Sequence, residues 1–483
     1  MGDIAQSWIN GEWLESDQVS ESVDPATGRV LGRYADAGET EARAAVRAAK
    51  AAFEGLTWSR DRRLRARALR EMGELFDAHA AEMSSLISRE NGKLLAEADF
   101  ESYSAGQTLR HAAAQVMTET GTSQEVAPGT WFSTVAEPAG VVAIIVPWNA
   151  PLALLIRSLA PALAAGNTVV IKMPGQTALV AALVAQVIAQ TPALPSGVVN
   201  LFTESGNAGA PFLVASPDVQ VVSYTGSVEV GRKVAEAGAA TLKRVNLELG
   251  GKTPMIVFDD ADLDRAVPLL ARAVTTFGGQ FCMAGSRVLV QLGVADQVRD
   301  RLADLLSRVR LGAGLDPDSD MGPLIDRSAA RRVDATVEAA LAYATPILRG
   351  GPALDPPLAD GAFYRPALLE VTDATSPIVQ EEVFGPVATF EVFSDETDAI
   401  TRANATELGL AAAVFTRDGD RARRVGREVK AGTVWTNSWA VLDDAFPEGG
   451  YKQSGLGRLR GALALTEFQE AKTYVHVIAP DVV

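Results

Sequence analysis

Chemistry in this chain starts at its single cysteine, Cys282, in the segment Phe277-Gly278-Gly279-Gln280-Phe281-Cys282-Met283-Ala284-Gly285-Ser286-Arg287. One cysteine makes no internal disulfide, so its role is either a small apolar core contact or a nucleophilic thiol. Two glycines bring backbone close to the sulfur, and a turn of small residues follows it. N–H groups exposed by such a segment favour thiolate and hold a developing oxyanion, which points to the nucleophile. A nucleophile needs a base. The three histidines, His79, His111 and His476, carry no distinctive local motif and read as incidental. The candidate base is Glu248, in Leu247-Glu248-Leu249-Gly250-Gly251-Lys252. A carboxylate between two leucines at a strand end is partly desolvated, which raises its affinity for protons toward neutrality. The bland alternative is a surface glutamate at a Gly-Gly turn. Asn149, in Val146-Pro147-Trp148-Asn149-Ala150-Pro151, lies on a rigid turn, where its amide could donate to an oxyanion beside the sulfur. Alone it would be a turn residue.

No Gly-x-Gly-x-x-Gly follows the first strand of the alternating region. Tyr224-Thr225-Gly226-Ser227-Val228-Glu229-Val230-Gly231 does follow a strand and open a helix. Gly226, Ser227 and that helix N-terminus could hold a pyrophosphate by backbone N–H groups and dipole. Lys172 sits at a strand's carboxyl end, where open α/β sheets bind ligands.

These residues need a scaffold. Residues 40–118 read as three helices with breaks at Gly55 and near Asn91-Gly92, and residues 130–137 as a strand of a hairpin. Strand-like runs then occur at Val141–Val146, Thr168–Ile171, Val198–Leu201, Val219–Ser223 and Arg244–Leu247, with Ala-rich helical segments between them. A second alternation runs through Met255–Phe258, Arg287–Gln291, Pro346–Leu348, Val387–Val392, Ala412–Phe415 and Gly432–Asn437. Strands alternating with helices imply parallel βαβ units, hence two α/β sheets. Lys472–Ala479 alternates as a terminal strand that could pair with another subunit.

At 483 residues the chain is long enough for about three domains. Its 47% hydrophobic and 22% charged content is that of an ordinary globular enzyme. A formal net charge of −16 repels phosphate backbones and excludes nucleic acid as a partner. No signal peptide or myristoylation motif is read, with Gln6 where the latter wants Ser or Thr. The apolar stretch Val141 to Ala165 is interrupted by Pro147, Asn149, Pro151 and Arg157, so no membrane span is read. One cysteine fits a reducing cytoplasm, and no metal site is read.

In this order, Pro147-Trp148-Asn149, Lys172, Gly226-Ser227, Glu248-Leu249-Gly250-Gly251-Lys252, Gln280-Phe281-Cys282, Glu381-Glu382-Val383-Phe384-Gly385-Pro386 and Gly449-Gly450-Tyr451-Lys452-Gln453-Ser454-Gly455 resemble the blocks of the aldehyde dehydrogenase superfamily. The resemblance runs from about residue 8 to about 478. It implies NAD(P)-dependent oxidation of an aldehyde to a carboxylic acid through a cysteine thiohemiacetal and thioester. Cys282 would be the nucleophile, Asn149 and the Cys282 N–H the oxyanion donors, and Glu248 the base that activates water. Trp148, Lys172, Gly226, Ser227, Gly231, Leu249, Glu382 and Phe384 would contact the cofactor. The implied architecture is a Rossmann-like dinucleotide-binding domain (residues 1–118 and 139–250), an α/β catalytic domain (251–451) and a small β bridging element (119–138 and 467–483). The assembly would be a homodimer or homotetramer, with Arg244, Arg458 and Glu470 as an ion cluster near the subunit interface.

The chain departs from the family's pattern at several positions. Gly175 replaces a glutamate that favours NAD over NADP by repelling a 2′-phosphate, so NAD is expected with NADP left open. A lysine and a glutamate thought to relay protons from the base are Ser158 and Leu459 here, so any relay must use water. Tunnel aromatics are replaced by Ala150, Glu448 and Arg157, while Trp439 remains. A carboxylate and an aromatic near the mouth favour a cationic aldehyde such as betaine aldehyde. Arg157 favours an acidic one, or simply pairs with Glu448. The rival readings are a non-redox cysteine esterase and a catalytically silent binding protein on the same fold.

Overall fold

Val141–Ile145 is a run of five apolar residues, all buried, as a strand covered on both faces requires. In the computed structural model, which describes residues 4–55 and 57–478, this strand lies inside an eight-stranded sheet. The order across the sheet is Gly455–Leu456, Arg244–Glu248, Val221–Thr225, Val141–Ile145, Thr168–Pro174, Val199–Glu204, Ser7–Ile9 and Glu12–Leu14. The strands between residues 141 and 248 run parallel, and antiparallel pairs close both edges. The chain builds from Val141–Ile145 outward to Val199–Glu204, then returns to place Val221–Thr225 on the other side. Strand order reverses between 141–145 and 221–225, and ligands of such sheets bind in the crevice at that point. Pro147-Trp148-Asn149 leave one of these strands and Gly226-Ser227 leave the other.

The second sheet has seven strands, in the order Thr345–Leu348, Ala367–Glu370, Val387–Phe393, Arg287–Gln291, Pro254–Val257, Ala411–Phe415 and Thr433–Thr436. All pairs are parallel except the edge strand Thr345–Leu348. The α/β class read from the sequence is the observed one. Cys282 lies on the segment that enters Arg287–Gln291.

Local pattern misleads in two places. Residues 39–118 hold four helices, Glu39–Gly55, Arg62–Ala78, Ala80–Asn91 and Leu95–Thr118. The extra break falls at His79, which has no glycine or proline to signal it; the turn lets Met83 and Ile87 join the core that holds Leu69 and Phe76. Strands between Ile4 and Ala35, and Ala367–Glu370 in the second sheet, are not read from sequence; several of them, such as Ser7–Ile9 and Glu12–Leu14, are too short to show a period. The terminal strand, Gln469–Val477, lies antiparallel to Thr130–Pro138 from Gln469↔Pro138 to Val477↔Thr130, joining the two segments that the resemblance groups in one β element. Thr122–Ala127 completes that three-stranded sheet. Among the described residues, no helix is long and apolar enough to cross a membrane.

Candidate active site

The loop before the cysteine takes three left-handed residues in a row, Phe277 (φ 55°), Gly278 (φ 61°) and Gly279 (φ 73°). A Cβ on Gly279 would collide with the carbonyl group of Gly385, so glycine is what lets this loop lie against the Glu381–Pro386 segment. Beyond the cysteine, the Gly285 N–H donates to Ala273 O (2.9 Å) and Trp439 Nε1 donates to Met283 O (2.9 Å). Cys282 is thus held from both sides while its own side chain stays half-buried.

Cys282, Glu248 and Asn149 come from three elements and line one cavity of about 330 Å³. Asn149 Nδ2 donates to Gln280 O (3.1 Å), and the Asn149 carbonyl accepts from Asn91 Nδ2 (3.2 Å). The first bond orients the side-chain amide against the cysteine loop, and the second holds the Asn149 backbone. Glu248 ends its strand with the side chain 4% exposed. Its Oε2 accepts from Arg157 Nη1 at 3.4 Å, while Oε1 has no partner among the described residues. Burial pushes the carboxyl up to about 7, against the pull of Arg157 and with the push of Glu448. The desolvation expected from its two leucine neighbours is present.

The thiol departs from expectation. Burial raises Cys282 well above the ordinary thiol range, and the attraction of Arg157 returns only part of that shift. Exposed loop N–H groups do not make a resting thiolate here, because desolvation outweighs them.

Trp148, Gly226, Ser227, Leu249, Glu382 and Phe384 line the same cavity. Trp148 and Phe384 meet edge to face at 5.5 Å. Ser227 caps the helix Val228–Ala239, accepting from the Val230 N–H at 3.3 Å, so the helix opens beside the cavity. The Gly226 N–H is already engaged by Glu248 O (3.0 Å), which removes it from any pyrophosphate cradle. Glu382 leans on the Gly250-Gly251 turn, its Oε1 accepting from the Gly251 N–H (3.2 Å), and burial pushes it up to about 7. Two expected contacts lie elsewhere. Gly231 faces Leu249, where a Cβ would strike the leucine, and thus shapes the wall from behind. Lys172 sits at the end of Thr168–Pro174, outside the cavity lining. Beside it, a Cβ on Gly175 would collide with Tyr34 Oη and Ser205. A buried carboxylate acceptor, a helix N-terminus and the exposed Arg332 in one crevice suit a nicotinamide dinucleotide.

Sequence reading misses Arg332, which lines the cavity without any motif of its own, and gives no role to Thr225, which lines it from within the Tyr224–Gly231 segment. It offers Arg157 and Glu448 as a pair, and the structure shows one: Arg157 Nη1 donates to Glu448 Oε1 at 2.7 Å. Glu448 is no mouth residue, however. Its side chain is 6% exposed and also accepts from Arg460 Nε (2.8 Å), so its charge is matched twice over. Ser158 Oγ lies 3.0 Å from Ser223 Oγ, and Leu459 is buried. Arg244 pairs with Glu470 at 2.9 Å, whereas Arg458 turns to the Gly450 and Gly457 carbonyls and stays outside that pair.

The chain was compared with known proteins. The model of the aldehyde dehydrogenase family matches residues 13–474. Betaine aldehyde dehydrogenase of Bacillus subtilis (strain 168) is 36% identical over 470 residues, 96% of each chain. The NADP(+) succinate-semialdehyde dehydrogenase of Escherichia coli (strain K12) is 37% identical over 475 residues, 97% of this chain and 96% of that protein. A crystal structure of betaine aldehyde dehydrogenase from Staphylococcus aureus in complex with NAD+ matches with a TM-score of 0.96 at 34% identity, covering 99% of this chain and 96% of the other.

Proposed function

This chain belongs to the aldehyde dehydrogenase family and oxidises aldehydes to carboxylic acids with a nicotinamide cofactor, and we propose that Cys282, Glu248 and Asn149 perform that reaction. The convergence of these three side chains on one cavity, with Glu382 and Phe384 on its wall, carries the reading. Burial keeps the thiol protonated, so Glu248, a base poised near neutrality in the same cavity, takes the thiol proton first. The Cys282 sulfur then attacks the aldehyde carbon. Asn149 Nδ2 and the Cys282 N–H hold the thiohemiacetal oxygen. NAD(P)+, when bound, supplies the two-electron acceptor that turns this adduct into a thioester. Once Glu248 has passed the thiol proton to solvent, its Oε1 takes a proton from water, the hydroxide adds to the thioester carbon, and the acid leaves as the C–S bond breaks and the Cys282 sulfur recovers a proton. Glu382 would accept from the ribose hydroxyls of a bound dinucleotide, and Arg332 and the helix N-terminus at Ser227 would hold its phosphates. On this reading residues 1–118 and 139–250 bind the cofactor, and residues 251–451 carry the nucleophile.

NAD is the proposed cofactor, with NADP accepted as well. Gly175 leaves no carboxylate to repel a 2′-phosphate, and the crowding of that glycine by Tyr34 and Ser205 keeps one out. For the substrate we favour a cationic aldehyde. Support comes from the name of the Bacillus subtilis relative and from the aromatic pair Phe281–Trp439 beside the cysteine, 5.8 Å apart. Glu448 lends no support, since its charge is already matched. Purified protein is given betaine aldehyde, propanal and succinate semialdehyde with each cofactor, and reduced nicotinamide is followed by absorbance. Betaine aldehyde should turn over fastest; a rate no better than propanal ends the cationic reading. Cys282→Ser should abolish reduction while circular dichroism stays unchanged. A serine variant that still makes acid at the parent rate would overturn the mechanism.

A further inference from the structure

The helix Pro151–Ala165 buries an arginine, Arg157, with its side chain 2% exposed. Its Nη1 donates to Glu448 Oε1 at 2.7 Å and to Glu248 Oε2 at 3.4 Å, and its Nη2 to Thr225 Oγ1 at 3.2 Å. Behind it the charges are linked in series. Glu448 accepts from Arg460 Nε (2.8 Å), Arg460 Nη1 donates to Asp444 (2.5 Å), and Asp444 accepts from Thr108 Oγ1 (3.0 Å) on the helix Leu95–Thr118. The series begins at the proposed base and ends on a separate helix, so the guanidinium facing Glu248 is braced from the rear.

The consequence is an asymmetric carboxylate. Glu248 Oε2 faces Arg157, while Oε1 is buried, has no partner among the described residues, and belongs to a side chain lining the cavity of Cys282. Ser158 and Leu459 carry no charge, and the charges come from residues next to them: Arg157 precedes Ser158 in the chain, and Glu448 is bridged to Leu459 by paired backbone hydrogen bonds of 2.6 and 2.8 Å.

We propose that Arg157 is a positioning residue for thioester hydrolysis: anchored by Glu448, it holds Glu248 through Oε2 so that Oε1 meets the attacking water. The inference rests on the reading of Glu248 as the base. An acidic aldehyde would have to displace Glu448 to reach the same guanidinium, whose Nε is buried without a partner among the described residues. Around Glu248, Arg157 and Arg458 favour its ionised form, Glu448 and Glu467 oppose it, and Cys282 faces it across the cavity.

Rapid mixing of the purified full chain with aldehyde and NAD separates the two half-reactions. Arg157→Met should keep a burst of reduced nicotinamide equal to the enzyme concentration. Its steady-state rate should fall by about ten- to a hundredfold, with the rising limb of the pH profile moved to higher pH. Arg157→Lys, which restores the charge, should recover part of both. If Arg157→Met does not fold, Glu448→Gln carries the test: loss of an opposing charge should move the limb to lower pH. Wild-type steady-state rate and pH profile in Arg157→Met would overturn the inference, as would a defect confined to the KM of acidic aldehydes. An Arg157→Lys that recovers nothing would also overturn it. Glu248→Gln distinguishes the two readings. If that variant hydrolyses the thioester at the parent rate, the base assignment itself fails.

Discussion

Glu248 meets two opposed demands: it must be dry enough to want a proton near neutrality and charged enough to take one. Burial raises it to about 7, and Arg157 restrains the rise. The sign of the pH effect follows. The active base is the unprotonated form, so hydrolysis-limited turnover should climb as pH rises through about 7 and level off above it. Glu248→Gln should remove that limb, lower steady-state turnover by about 10²- to 10⁴-fold, and slow the burst as well, because the same carboxylate takes the thiol proton. Stopped-flow absorbance across pH 5 to 9 measures both; a limb that survives in the variant assigns it to another group. The sequence shows Glu248 and its leucines, and those neighbours suffice to foresee desolvation. It also shows Cys282, but its loop glycines suggest a thiolate that burial denies.

At the scale of elements, a second buried carboxylate ties two helices and a short strand together. Glu90, on the helix Ala80–Asn91, accepts from the Leu179 and Val180 N–H groups at the start of Ala178–Ala189 and from Ser22 Oγ. It thereby satisfies helix donors that no side chain of that helix caps. Burial pushes Glu90 from its ordinary 4.5 up to about 7, against those three bonds. The folded chain therefore holds this proton more tightly than the unfolded one. Its contribution to stability is complete below about 4.5 and is lost as pH rises through about 7. Glu90→Gln should flatten the fall in denaturation midpoint between pH 5 and 8. An unchanged slope would place the dependence in other groups. Helix and strand identities in this region follow from local period, whereas the break at His79 does not: it answers to a shared core, not to residue type.

For the molecule as a whole, the sheet of Thr122–Ala127, Thr130–Pro138 and Gln469–Val477 is the least covered part of the fold. Phe132, Val135, Tyr474, Val475 and Val477 stay exposed on it, and both outer strands have a free edge among the described residues. Exposed apolar strands with open edges mark an association surface, and we read it as the contact of a homodimer or homotetramer. Replacing Val475 and Val477 together by lysine should shift the mass measured by light scattering toward the single chain, with the far-ultraviolet spectrum retained. An unchanged mass would move the interface elsewhere. By itself, the sequence determined what depends on neighbours along the chain: the nucleophile, the glutamate at a strand end, and strands alternating with helices. Burial period and turn chemistry are local properties, so a linear reading reaches them. Sequence offers Arg157 and Glu448, 291 residues apart, as a pair; only the tertiary structure decided that this pair sits against Glu248 and is braced by Arg460. It also decided that Gly226 gives its N–H to a neighbouring strand. Those pairings follow from strand order and from desolvation summed over distant segments, and no window of sequence contains either quantity.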